Sequence, residues 1–102
     1  MRLVATYGLF LGLWTGSALG AGQELYNKAC KSCHGANGEG NPAIAKVMKV
    51  TMRHLGSKEV QAKKDAELKK DITGGVGKMK PIPSLSAKEI DEVVAHIRTL
   101  KP

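Results

Sequence analysis

The sequence predicts one small all-α domain behind an N-terminal targeting segment. Three observations carry that expectation. Apolar residues recur at helical spacing near both ends of the chain beyond residue 21. Leu25/Ala29 and Tyr26/Cys30 are i, i+4 pairs, and Ile90, Val93, Val94, Ile97 and Leu100 form one stripe. No stretch alternates apolar and polar residues in the manner of a strand. Finally, Cys30-Lys31-Ser32-Cys33-His34 is a C-x-x-C-H run, the attachment signature for c-type haem.

The N-terminal segment has the layout of an export signal. Met1-Arg2 is a short positive start, Leu3 to Trp14 is an apolar stretch, and Ser17-Ala18-Leu19-Gly20 offers the small residues that a signal peptidase reads. Residues 1–21 are therefore assigned as a signal peptide and residues 22–102 as the domain. The rival is an uncleaved anchor, since an apolar run of about 20 residues spans a bilayer. Tyr26 is the one aromatic residue beyond position 21. A domain this small buries a limited core and draws on a cofactor, metal or disulfide for the rest. A flat apolar porphyrin would supply that missing volume.

Helices follow from local signals. Residues 23–32 read as the first helix. Gly35-Ala36-Asn37-Gly38-Glu39-Gly40-Asn41-Pro42 is glycine-rich and reads as loop; without a preceding strand or a Lys-Ser/Thr ending it is no phosphate cradle. Residues 43–48 form a short helix, residues 57–64 about a turn of one, and Asp65 reads as the N-cap of another that Gly74-Gly75 stops. Pro81 and Pro83 keep residues 75–83 extended. Ser86-Ala87-Lys88-Glu89 is a capping box, and Leu85 is placed to staple onto Ile90. The natural partner for the final apolar stripe is the Leu25/Tyr26/Ala29 face.

The C-x-x-C-H run has competing readings. A structural zinc site takes four ligands, and the remaining histidines, His54 and His96, fit no finger or ribbon spacing. A thioredoxin-like pair belongs beside a βαβ pattern. Haem attachment uses all three side chains: both sulfurs reach the porphyrin vinyl groups and His34 lies under the iron. The sixth ligand then has five candidates: Met48, Met52, Met79, His54 and His96. Met79 is favoured because it stands in a loop between Gly77 and Pro81, where little else is apolar, and methionine opposite histidine raises a haem potential. Plain packing is its alternative role.

Taken together, these motifs resemble the small bacterial monohaem cytochromes c of class I over the whole of residues 22–102. The resemblance implies the cytochrome c fold, with three to five short helices wrapped around one covalent haem c. It implies thioethers at Cys30 and Cys33 and an axial pair of His34 and Met79. It implies that the Pro42 carbonyl accepts from the His34 imidazole, and that the first and last helices cross near Gly22 and Tyr26. Two residues depart from the family pattern: His96 stands where an aromatic is common, and Lys80 separates Met79 from Pro81.

The function this implies is one-electron transfer by a soluble periplasmic monomer, without enzymatic activity. The rivals are a haem peroxidase or gas sensor with a labile sixth ligand, and a membrane-tethered cytochrome module. The net charge is +7. No Lys/Arg run exceeds two and no aromatics are interleaved, so nucleic acid is not expected. Lys28, Lys31, Lys78 and Lys80 instead suit transient docking to acidic redox proteins.

Overall fold

The computed structural model describes residues 17–102. Most of the expected signal peptide lies outside the described residues, and the boundary placed after Ala21 falls inside the first helix.

Six helices are present among the described residues: α1 (Ser17–Ala29), α2 (Lys31–His34), α3 (Pro42–Met48), α4 (Lys58–Gln61), α5 (Asp65–Gly74) and α6 (Ala87–Ile97). The only extended pairing among them is a single bridge between Val76 and Met79. One helix was expected across residues 23–32. The chain instead breaks at Cys30, whose φ of −120° leaves the helical range before α2 begins. This break raises the helix count above five.

Helices α1 and α6 pack against each other more extensively than any other pair. All five residues of the expected stripe on and after α6 are buried, together with Tyr26, Cys30, Leu68 and Ile72; Leu25, Ala29, Met79, Ile82 and Leu85 pack around them. The crossing depends on Gly22. A β-carbon there would collide with the Glu92 backbone carbonyl and press on the His96 β-carbon at 3.3 Å. One turn further along, Tyr26 is fully buried and its ring centroid lies 5.0 Å from that of His96, tilted by 50°. The histidine thus takes the place of an aromatic partner. Its Nε2 is buried without a hydrogen bond and burial lowers its pKa, so the ring packs as a neutral group.

The capping box of α6 forms as expected: the Glu89 amide donates to Ser86 Oγ at 3.2 Å and the Ser86 amide donates to Glu89 Oε1 at 2.9 Å. The cap of α5 differs. Asp65 is the first helical residue and Lys64 occupies the cap position, its amide donating to Glu67 Oε1 at 3.4 Å. The Asp65 carboxylate is taken by Arg98, which donates from Nε at 3.0 Å and from a terminal nitrogen at 2.7 Å. The same guanidinium donates to the carbonyls of Gln61 and Lys63. Gln61 in turn donates to the carbonyls of Leu55 and Ile97. Arg98 and Gln61 therefore pin residues 55–65 onto the end of α6.

Substituting Gly22→Ala should cost about 2 kcal/mol, because the β-carbon meets rigid backbone rather than a movable side chain. Chemical denaturation of the haem-loaded protein measures this, and the midpoint should fall with little change in slope.

Candidate functional site

The C-x-x-C-H run occupies the break between α1 and α2 and all of α2. Cys30 ends the α1 segment and is buried; Cys33 is half-buried, and neither forms a disulfide. Burial, with a smaller contribution from Cys33, pushes the Cys30 thiol up to about 11. His34 closes α2. Its Nδ1 is buried with no hydrogen-bond partner, and burial lowers its pKa below the ordinary 6.5. The imidazole is therefore neutral near pH 7, the form that coordinates a metal. The expected bond from this ring to the Pro42 carbonyl is not made. Pro42 is instead the first residue of α3, a position where its missing amide costs nothing.

A four-residue helix leaves all its carbonyls without intrahelical partners, and here the loop that follows satisfies them. The Gly35 amide donates to the Lys31 carbonyl at 2.8 Å, the Asn41 amide to Cys33 at 2.9 Å and the Gly40 amide to His34 at 2.6 Å. The Asn41 side-chain amide covers the remaining one, donating to the Ser32 carbonyl at 3.2 Å. The other end of the same side chain accepts from the Ala43 amide at 3.0 Å and the Ile44 amide at 3.4 Å, capping α3. Asn41 thus ends one helix and starts the next. Its place before a proline at a helix start was the available signal for it.

Tyr26 links this segment to the core: its hydroxyl donates to the Gly35 carbonyl at 2.6 Å. Desolvation, with smaller effects from Cys30 and Glu39, pushes the phenol up to about 12. The neutral form is the one that donates, so the bond and the shift agree in sign.

Met79 lies elsewhere in the fold, in the loop between α5 and α6. Val76 and Met79 exchange two backbone bonds, at 3.1 and 2.9 Å, around a turn in which Gly77 has a φ of +56°. Gly75, at a φ of +78°, is the hinge: a β-carbon there would lie 2.7 Å from the Met79 carbonyl and 2.9 Å from Pro81 Cδ. The Ile82 amide returns the loop to α5 by donating to the Ile72 carbonyl at 2.9 Å. Met79 is half-buried and packs on the core.

Met79 and its loop line an open groove of about 540 Å³, and Met48 from the end of α3 also contributes to its lining. Cys30, Cys33 and His34 do not line it. The other candidate ligands are placed differently again. Met52 packs beside Gly40, and the Nδ1 of His54 accepts from the Gly56 amide at 2.9 Å. His96 lies in the helix crossing.

Two free thiols three residues apart, a neutral half-buried imidazole with an unused buried nitrogen, and a methionine on a groove wall form a donor set suited to a c-type haem. An all-helical domain with such a segment between its first two helices defines a c-type haem protein. The chain belongs to the cytochrome c family: that family's model matches residues 19–101. It is similar to cytochrome c-554(547) of Halothiobacillus neapolitanus, at 34% identity across 79% of this chain and 94% of that one. Among solved structures it is similar to the KustC0563 c-type cytochrome, with a TM-score of 0.68 and 27% identity, covering 79% of this chain and 98% of the other. The cofactor of the family is covalent haem c, and the protein is accordingly a haem-bearing electron carrier.

Two substitutions test the local architecture. Asn41→Ala should lower stability by about 1–2 kcal/mol through the loss of a helix cap and of the side-chain partner of the Ser32 carbonyl, measured by denaturant melts. Tyr26→Phe should cost about 1 kcal/mol near pH 7. The phenol's raised pKa adds a pH dependence: its contribution is complete below the unfolded value of 10 and lost as pH rises through about 12. The stability difference between wild type and Tyr26→Phe should therefore shrink across that window.

Proposed function

We propose that the protein is a soluble, exported one-electron carrier with a permanently six-coordinate haem, and not an enzyme. Cys30 and Cys33 would hold the porphyrin through thioethers, and His34 and Met79 would hold its iron. The observation that carries this reading is the setting of Met79. Its backbone is held on the wall of an open groove by reciprocal backbone bonds and a glycine hinge, and Met48 is the other methionine on that groove. When bound, haem c supplies a reversible Fe(II)/Fe(III) couple.

The chain's own residues set the conditions for that couple. His34 enters as a neutral donor, and α2, with every carbonyl capped, holds its backbone rigid. The turn at residues 76–79 holds the sulfur. With His34 and Met79 both engaged, no iron position would be left for a substrate, and burial together with a thioether ligand would raise the potential. Pro42 supports the site by starting α3 next to Asn41, and Tyr26 supports it through Gly35.

Lys78 and Lys80 are exposed beside the groove, and Lys31 is exposed on α2. Their charge suits an acidic partner, in an encounter that salt weakens. Lys28 lines a separate groove with Glu24, Glu89 and Glu92, where local acids offset its charge. Bacterial c-type cytochromes are typically exported. No helix among the described residues is long and apolar enough to cross a membrane. A periplasmic monomer, free of its signal peptide and meeting its partners transiently, is consistent with both.

Spectroelectrochemistry of Met79→Ala against wild type is the decisive measurement. The sulfur-to-iron charge-transfer band should vanish and the potential should fall by on the order of 100 mV. A variant that keeps the band would assign the ligand elsewhere. A wild-type protein without the band near neutral pH would favour a labile-ligand sensor or peroxidase.

A further inference from the structure

We propose that His96 makes the crossing of α1 and α6 an acid-sensitive joint. A proton taken up by its ring loosens the contact that seats Tyr26 and, through Tyr26, the Cys30–His34 segment. The joint lies in the core and does not depend on which residue is the sixth ligand.

The geometry leaves the ring no place for a charge. The His96 β-carbon lies 3.3 Å from where a β-carbon on Gly22 would stand. Its ring centroid is 5.0 Å from that of the fully buried Tyr26. Nε2 is buried and has no hydrogen-bond partner among the described residues. A neutral imidazole tolerates this, because one of its two nitrogens carries no hydrogen. An imidazolium does not: both nitrogens then carry hydrogens, and Nε2 becomes a buried, charged and unpaired donor.

The charged groups of the surrounding helices are engaged elsewhere. Glu24 and Lys28 of α1 share a groove beside Ala21 with Glu89 and Glu92 of α6. Lys88 is exposed in the first turn of α6, and Asp91 pairs with Lys69 of α5 at 2.7 Å. Arg98 is held by Asp65 and by the carbonyls of Gln61 and Lys63. The Tyr26 hydroxyl is committed to the Gly35 carbonyl. Burial is accordingly the one cause that lowers the His96 pKa from its ordinary 6.5. A folded-state value below the unfolded one fixes the sign. The contribution of His96 is complete above the unfolded value and is lost as the pH falls through the folded one. Tyr26 carries the effect outward, since its ring rests on His96 and its hydroxyl holds the residue that follows His34.

The experiment is a pair of measurements on the reduced, haem-loaded protein. Denaturant unfolding near neutrality and about two pH units lower compares wild type with His96→Phe and His96→Gln, neither of which titrates. On acidification the unfolding constant of wild type should rise about tenfold more than that of either variant. Groups common to all three proteins, His54 among them, cancel in that ratio. His96→Gln keeps the comparison if phenylalanine overpacks the crossing. A wild type that parallels the variants overturns the joint. The second measurement is an NMR titration of the folded wild type. The His96 ring should titrate with a midpoint below the ordinary histidine value, and the Tyr26 ring resonances should shift in the same window. A midpoint at or above the ordinary value overturns the joint, and so does a Tyr26 ring indifferent to that titration.

Discussion

Helices α1 and α6 approach as they do because no side chain stands at position 22. The Glu92 carbonyl occupies the space a β-carbon would need. That approach lets Tyr26 sink completely between the helices against His96. Once sunk, the tyrosine has a polar tip that must find a partner, because an unpaired buried hydroxyl costs more than the bond itself returns. It finds the Gly35 carbonyl, the first residue after the C-x-x-C-H run. A backbone contact in the core thus fixes, through one phenol, the position of the segment that receives the cofactor.

The attachment segment itself solves a problem of scale. Its helix is a single turn, and isolated turns are unstable because nucleation costs more than one bond returns. The following loop compensates by donating to every carbonyl of α2. Several glycines with positive φ let the chain curl back on itself to do so. Asn41 completes the arrangement, since its amide has a donor end for Ser32 and an acceptor end for α3. A residue with only one of those functions would leave one helix end unsatisfied.

Much of this was legible from residue order. The stripe on α6, its capping box and the C-x-x-C-H run are local patterns, and each appears where it was expected. The prominence of Met79 was legible for the same reason: a lone apolar side chain among lysines, glycine and proline is conspicuous. What stayed hidden depends on partners distant in sequence. Asp65 looked like a cap and is instead a partner of Arg98, a residue 33 positions away. The dual role of Asn41 needs the end of α2 to be folded against the start of α3. Lys78 was grouped with three other lysines by charge alone, although its ammonium is engaged by a carbonyl 30 residues away. The Pro42 carbonyl was expected, by family likeness, to accept from the His34 imidazole, and here Pro42 begins a helix while Nδ1 of His34 is unpaired.

The two sides of the proposed haem site therefore differ in how they are held. The His34 side is built within a dozen residues, by covalent attachment and a dense set of short-range backbone bonds. The Met79 side is a glycine-flanked loop, half-exposed, fastened to α5 by backbone bonds and to α3 by one surface lysine. Local opening is cheapest where buried contacts are few and backbone bonds are open to water. In the proposed ligation, any fluctuation that vacates an iron coordination position should start on the methionine side, leaving the histidine and both thioethers in place. This asymmetry suits an electron carrier. The rigid side keeps the redox centre attached, while the looser side carries the exposed Lys78 and Lys80. Residues such as Gly75, Gly77 and Lys78 can then alter ligand lability without touching the core that Tyr26 and Gly22 hold together.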